Sequence, residues 1–215
     1  MSTQTDLWDA QIADIMELTN RPELDDLTAL ALRMATLKTH LCDHFVRDIV
    51  TSDQVAFDDS ASVTSLSIAT TTEFARFRDV HMVQLLDVDG VALDSPEVEI
   101  VEANDIFEPG YRGVKRPYIA WMAGSNLNIY AACGMYGARV LWFQSPNVTR
   151  DTYDSWIAQL FPDVIVWEAA MMVWNRTGNE TKAKEAWVTL HGDQRNPEMG
   201  LINLLKSNYL TTAGR

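Results

Sequence analysis

The chain has 215 residues, with 30 acidic against 17 basic side chains and a formal net charge of −13 at pH 7. A general nucleic-acid binder needs a basic surface to neutralise phosphates, so this charge excludes that class. The hydrophobic content of 47% is enough for a folded core and excludes a disordered protein. No stretch approaches 18 consecutive apolar residues, and we expect no membrane-spanning segment.

The cysteines and the N-terminus indicate the compartment. Two cysteines, Cys42 and Cys133, are too few for a disulfide framework, which indicates a reducing environment. The first eleven residues contain neither a basic nor an apolar stretch, so we expect no signal peptide. Together these features favour assembly in a cytoplasm.

The negative charge is concentrated in the middle of the chain. Residues 1–50 carry nine acids and four bases (−5), residues 51–112 carry thirteen and three (−10), and residues 113–215 carry eight and ten (+2). Two interpretations are open at this point. The acidic stretch is either an ordinary hydrated surface or a surface used against DNA or a basic partner.

Helical periodicity predicts two helices in residues 1–50. Apolar residues from Trp8 to Met16 recur at helical spacing, and the turn Asn20–Pro22 separates this helix from a longer one. In the second helix, apolar residues recur every three or four positions from Leu24 to Ile49. This spacing predicts one helix of roughly 27 residues and about 40 Å. Because a helical hairpin cannot bury both apolar faces alone, further helices must cover it.

The pattern changes to β-strand from residue 51. Alternating and β-branched residues predict about six short strands, at 63–68, 79–88, 97–101, 117–122, 127–132 and 138–144. Asp89-Gly90 predicts a turn that returns the third strand against the second, and Ala123–Asn126 predicts the turn of another hairpin. We therefore expect a small antiparallel β-lobe.

Helical spacing returns after residue 149. A short helix around Tyr153–Leu160 precedes Pro162, which opens a helix that is apolar nearly all round and therefore predicted to be buried. Gly178 is placed to cap this helix. In the next predicted helix, residues 180–190, the side chains expected to face the core are those of Ala183, Ala186, Trp187 and Leu190. A last apolar stripe comprises Met199, Ile202, Leu205 and Tyr209.

The order of elements predicts an α+β fold. A helical bundle formed by the N- and C-terminal helices carries an inserted small antiparallel β-lobe. The predicted parts are residues 1–50 (helical hairpin), 51–149 (β-lobe) and 150–215 (C-terminal helices with a terminal docking segment), in one structural unit overall. The residues expected to pack the bundle or neighbouring subunits are Trp8, Leu27, Met34, Leu41, Trp167, Trp174 and Trp187.

One histidine pair raises the question of a metal. His40 and His44 are four residues apart, as in helical zinc sites, with Cys42 between them. Leu41 stands where the zincin motif has its glutamate, and Cys42 lies about 200° round the helix from His40. No other cluster of His and Cys completes a tetrahedral site. We expect no metal and treat both histidines as helix-surface residues.

Other chemical motifs are weak. Asp87–Gly90 is similar to the start of a calcium loop, but its glycine falls at the fourth position instead of the sixth and no glutamate closes it. The sequence contains no phosphate-binding glycine loop, no Gly-x-Ser-x-Gly elbow and no evident nucleophile–base pair. We therefore expect a protein that is not an enzyme, with no catalytic residues and no cofactor.

Several local strings, together with the order helices, β-lobe, helices, resemble the head-to-tail connector (adaptor) proteins of tailed bacteriophages. They cover most of the chain, and none is a chemical motif. The strings are Glu17-Leu-Thr-Asn-Arg-Pro-Glu23 with Leu27, Arg33-Met-Ala-Thr-Leu-Lys38, Phe74-Ala-Arg-Phe-Arg78, Tyr153-Asp-Ser-Trp156 before Phe161-Pro162, Trp167-Glu-Ala-Ala170, and Thr177-Gly-Asn-Glu180 with Trp187.

The resemblance implies a structural virion protein that forms a ring, usually of twelve copies, under the portal. Its partners would be the portal protein, the next neck or tail protein, further copies of itself, and genomic double-stranded DNA that passes through without specific binding. It would lie in the neck of the virion after assembly in the host cytoplasm, with no membrane contact. The acidic stretch would then suit a channel that must not hold DNA.

Two points stay open in the sequence. The stripe Met199, Ile202, Leu205 and Tyr209 is a candidate interface with the portal or a neighbouring subunit, or else it packs on its own bundle. The alternative functions are another neck ring, such as a stopper or tail-completion protein, and a non-viral soluble α+β binding domain.

Overall fold

The structure is a computed structural model, and it describes residues 4–52, 55–57, 63–87, 89–93, 98–104, 119–130 and 137–208. The chain divides into two compact units. Met1–Asp48 and Ser145–Arg215 form the first, which we call the helical unit, and Ile49–Gln144 form the second, which we call the β unit. The predicted boundaries, after residues 50 and 149, lie within five residues of these. The α+β class, with helices from both ends of the chain packed together, is confirmed.

The helical unit is built around one buried helix. Its described helices are α1 (Gln4–Thr19), α2 (Asp25–Leu41), α3 (Trp156–Leu160), α4 (Pro162–Arg176), α5 (Glu180–His191) and α6 (Leu201–Asn208). Helix α4 packs against each of the other five. It can do so because it is apolar nearly all round, with Val164, Ile165, Ala169 and Val173 buried.

The ends of α4 follow the sequence prediction. Pro162 occupies its first turn, where a missing N–H costs no helical hydrogen bond. At the other end Gly178 adopts a left-handed conformation with φ of 76°, and its N–H donates to the carbonyl of Asn175. This turn allows α5 to begin at once, capped by the side chain of Asn179.

The prediction of one helix from Leu24 to Ile49 is wrong. Helix α2 ends at Leu41, the chain makes a 3-10 turn over Val46–Asp48, and Ile49 begins a strand. The apolar spacing continued past the end of the helix because Phe45 is buried there, edge-on to Trp156 with 5.4 Å between ring centroids. The apolar spacing therefore predicted the burial of Phe45 correctly, but it predicted a helical backbone where the helix has already ended.

The β unit contains two four-stranded sheets among its described residues. In the first, β8 (Gly137–Gln144) pairs antiparallel with β1 (Ile49–Thr51), β2 (Val55–Ala56) and β4 (Phe77–Leu86). The second has the order β3 (Val63–Ser67), β7 (Asn126–Tyr130), β6 (Ile119–Ala123) and β5 (Glu99–Val101). The predicted hairpin of β6 and β7 is confirmed, and Gly124 supplies its turn with φ of 62°.

The other predicted hairpin is wrong. The turn itself forms, since the Asp87 carboxylate accepts the N–H groups of Asp89 and Val91. The ladder stops after a single bridge between Leu86 and Ala92, and β4 pairs instead with the eight-residue β8. Strand β5 lies in the second sheet, parallel to β6, so the β unit is not entirely antiparallel.

Within the described ranges, no helix combines the length and the apolar character needed to cross a bilayer.

Helix α6 provides a test of the helical unit. Leu205 is buried in the core of this unit, whereas its neighbour Leu204 is 41% exposed. We expect Leu205→Ala to lower the free energy of unfolding by about 2–4 kcal/mol because it leaves a cavity, and Leu204→Ala to change it by less than about 1 kcal/mol. Urea denaturation of both variants measures the difference. Equal losses would mean that α6 is not packed as described.

Candidate functional site

A buried polar network joins the two ends of the chain within the helical unit. His40 on α2 lies between Asp48, in the 3-10 turn, and Ser155, directly before α3. Its Nδ1 lies 3.0 and 3.1 Å from the carboxylate oxygens of Asp48, and its Nε2 lies 3.0 Å from Oγ of Ser155. All three side chains are buried. We call these residues, with Trp156, the His40 network.

The hydrogen bonds of the network are mutually consistent. Asp48 accepts from Nδ1 of His40 and, at 2.8 Å, from the indole N–H of Trp156. In the neutral imidazole this leaves Nε2 as an acceptor for the hydroxyl of Ser155. Oγ of Ser155 in turn accepts the N–H of Ala158 at 3.1 Å, which caps α3. Each polar side chain of the His40 network therefore has a partner, as burial requires.

A second contact reinforces the same junction. The hydroxyls of Thr36 on α2 and Tyr153 lie 2.8 Å apart, and the Trp8 ring packs edge-on to Tyr153 with 5.3 Å between centroids. Burial raises the pKa of Tyr153 to about 12, an effect partly offset by the hydroxyls of Thr36 and Ser155. Tyr153 therefore stays neutral and can donate its hydrogen bond at any physiological pH.

The order Ser155–His40–Asp48 and its distances are those of a nucleophile, a base and an orienting acid. Ser155 is 0% exposed, however, so in this conformation a substrate carbonyl cannot reach its Oγ. The hydroxyl is also committed to the cap of α3. The geometry supports a structural clamp between α2, the 3-10 turn and α3.

Sequence reasoning missed this network. His40 lies 8 residues from Asp48 and 115 from Ser155, so no local motif connects them. The expectation of two helix-surface histidines is wrong for His40, which is buried. His44 is exposed and lies beyond the end of α2, so the pair does not share a helix face. The described residues contain no group of three potential metal-binding side chains.

An ion pair joins a buried carboxylate on α4 to an exposed lysine on α2. Glu168 is 0% exposed, and its Oε1 lies 2.5 Å from Nζ of Lys38, which reaches in from α2. Its other oxygen, Oε2, has no hydrogen-bond partner among the described residues. The half-buried His191 on α5 is close enough to sense both charges, and burial lowers the pKa of this imidazole. Because the Glu168 carboxylate is buried and cannot be hydrated, Lys38 is needed to compensate its charge.

The predicted packing residues fall into two groups. Trp8 and Trp174 are buried, and Leu27 and Trp167 are partly buried against the core. The other three, Met34, Leu41 and Trp187, are 51%, 61% and 51% exposed.

The inward orientation predicted for Trp187 is wrong. Helix α5 buries Ala183, Ala186 and Leu190, while the Trp187 ring lies outside on His191, with 4.9 Å between centroids. Its indole therefore adds to the exposed apolar surface of α5.

The described surface of the helical unit carries several pockets with exposed apolar side chains, and we name two of them. The first is a groove of about 250 Å³ between α2 and α4, which we call the α2 groove; it is lined by Leu27, Leu30, Ala31, Met34, Met172, Asn175 and Arg176. The second, which we call the Met199 patch, adjoins the loop between α5 and α6; it is lined by Val188, Thr189, Gly192, Asp193, Asn196, Met199 and Leu201. The sequence indicated only Leu27, Met34 and Met199 of these.

The terminal stripe is divided. Ile202 and Leu205 are buried in the core of their own unit, so the expectation that they contact the portal or a neighbouring subunit is corrected. The alternative, packing on their own bundle, holds for both. Met199 is 68% exposed and stays a candidate for an interface. Tyr209 lies outside the described residues.

Comparisons with known proteins add no assignment. No protein-family model matches the chain, and no curated protein matches it either. Support for a function therefore comes from the local strings in the sequence and from the surfaces of the helical unit.

The His40 network predicts a large effect from one substitution. His40→Ala leaves Asp48 and Ser155 buried with a partner missing from each, and we expect a loss of about 3 kcal/mol in the free energy of unfolding. His44→Ala, at an exposed position beyond α2, should cost less than about 0.5 kcal/mol. Chemical denaturation measures both. A His40→Ala variant as stable as the wild type would refute the clamp.

Tyr153 predicts a specific loss of stability in alkali. Its pKa is near 10 in the unfolded chain and about 12 in the fold, so its contribution is complete below pH 10 and is lost as the pH rises toward 12. Between these values the contribution falls by about 1.4 kcal/mol per pH unit.

The matched variant for this test is Tyr153→Phe, which lacks the titrating group. Thr36 remains satisfied in it, because its hydroxyl still donates to the carbonyl of Leu32. Between pH 9 and pH 11, the urea midpoint of unfolding should fall less in the variant than in the wild type. Parallel losses in the two proteins would show that Tyr153 does not titrate as described.

Proposed function

We propose that this protein is a head-to-tail adaptor of a tailed bacteriophage, a structural protein that forms a ring under the portal. In this function it extends the DNA channel and joins the portal to the next neck or tail protein. The observation that carries the proposal, beside the resemblance of the local strings, is the apolar surface that the helical unit leaves exposed on α2.

Helix α2 is apolar on two faces. One face supplies Ala31, Leu32 and Ala35 to the core of the helical unit. The other presents Leu30 and Met34, one turn apart and 46% and 51% exposed, in the α2 groove. An exposed apolar groove of this kind can receive an apolar side chain of a partner, which supports the proposal.

Two separate exposed surfaces on one copy are what a ring requires. A cyclic ring needs a heterologous interface, in which one surface of each copy meets a different surface of the next. The α2 groove and the Met199 patch share no residue, and both belong to the helical unit. The chain therefore has the minimum set of surfaces that ring closure requires.

The charge suits a channel protein. The net charge of −13, with −10 in residues 51–112 from thirteen acids and three bases, repels phosphates and gives no basic footprint. DNA can then pass without being held. The location that follows is the virion neck, and the proposed role needs no catalytic group and no cofactor.

The proposal predicts assembly that native mass spectrometry can measure. The purified full-length chain, alone or mixed with the portal protein of the same genome, should form rings or join the portal in multiple copies. An unrelated acidic protein of similar mass, mixed with the same portal, is the control and should stay unbound. A chain that remains monomeric at all concentrations and does not bind the portal protein would exclude the adaptor function. Rings that bind only the assembled neck would point to a stopper or tail-completion protein instead.

A further inference from the structure

The loop between α5 and α6 is unusually tight at its base. A Cβ atom on Gly200 would lie 2.3 Å from the backbone carbon of His191 and 2.4 Å from the nitrogen of Gly192. Gly192 itself adopts φ of 79°, where other residues are strained. The two glycines thus let the ends of the loop touch. We call residues 192–200 the Met199 loop.

Hydrogen bonds within the loop fix its shape. The Asp193 carboxylate accepts the N–H groups of Arg195 and Asn196, each at 2.7 Å. The side-chain amide of Asn203 on α6 donates to the carbonyl of Pro197 at 2.6 Å. The loop therefore presents its apolar residue from a preformed backbone, which lowers the entropy lost on binding.

Met199 is the apolar residue that this loop presents. At 68% exposure it is the most exposed large hydrophobic side chain in the described part of the chain. An unbranched thioether adapts to irregular apolar cavities, and methionine is enriched in interfaces. Its neighbour Glu198 is exposed and forms no ion pair with a described residue.

The α2 groove offers the complementary chemistry. Leu30, Met34 and Met172 supply apolar walls, and the rim carries Arg176, in the last turn of α4. Arg176 is exposed and has no ion-pair partner among the described residues. An apolar projection beside an acid on one surface therefore corresponds to an apolar groove beside a base on the other.

We propose that Met199 of one copy of this chain fills the α2 groove of the next copy, with Glu198 beside Arg176. The occupant is a second copy because the chain itself carries both halves of the contact, with matching polarity and opposite charge. The contact is heterologous, so each addition leaves one free groove and one free loop until the ring closes. This inference rests on the proposed ring and names the contact that builds it.

Two blocking variants test the contact by complementation. Leu30→Asp closes the groove but keeps the loop, and Met199→Asp disables the loop but keeps the groove. Each alone should fail to form rings under the condition in which the wild type forms them. A 1:1 mixture restores one contact per pair, and native mass spectrometry should then show a heterodimer and nothing larger.

The matched control is Leu160→Asp. Leu160 is 46% exposed, the same as Leu30, and lies in neither surface, so this variant should form rings normally. Circular dichroism checks that all three variants are folded. Rings formed by Leu30→Asp or Met199→Asp would overturn the proposed contact and leave the ring itself intact.

Photo-crosslinking gives a readout that requires no loss of assembly. In Met199→p-benzoyl-phenylalanine, irradiation should join residue 199 to peptides containing residues 27–34 or 172–176. Mixed isotope-labelled and unlabelled protein must show that the joined peptides come from different copies. Crosslinks to other surfaces, or to the portal protein, would overturn the contact. A wild type that stays monomeric with and without the portal would instead refute the proposed function on which it rests.

Discussion

The helical unit depends on a contact between segments that the β unit separates in the chain. The backbone leaves this unit after Asp48 and returns at Ser145. His40 bonds to Asp48 just before the exit, and to Ser155 soon after the return. Closing so long an excursion costs chain entropy, which the surrounding apolar core must offset. Because buried polar groups tolerate few arrangements, the His40 network selects one alignment of α2 with α3.

Local chemistry accounts for what the sequence predicted correctly. Pro162 and Gly178 bound α4 through their own backbone preferences, and Gly124 turns the β6–β7 hairpin for the same reason. The features that the sequence could not predict depend on contacts between residues far apart in the chain. The burial of His40 depends on a residue 115 positions away, and the partner of β4 is a strand far along the chain. The apolar character of Trp187 also could not predict whether its side chain is buried, since apolar residues occur both in cores and on surfaces.

The surfaces that the core leaves uncovered connect the fold to the proposed function. Ile202 and Leu205 of α6 belong to the core of the helical unit, so for these two residues the packing alternative that the sequence left open holds. Other apolar side chains are exposed, among them those of the α2 groove and of the Met199 loop. In a ring of identical copies, one kind of contact repeated around the axis covers both surfaces on every copy.

Electron cryomicroscopy of the full-length chain mixed with the portal protein of the same genome tests this account most directly. We predict a closed ring of copies coaxial with the portal, in which the Met199 loop of each copy enters the α2 groove of the next and the central channel stays open. Portal particles without added density, or with isolated copies bound at scattered positions, would contradict it.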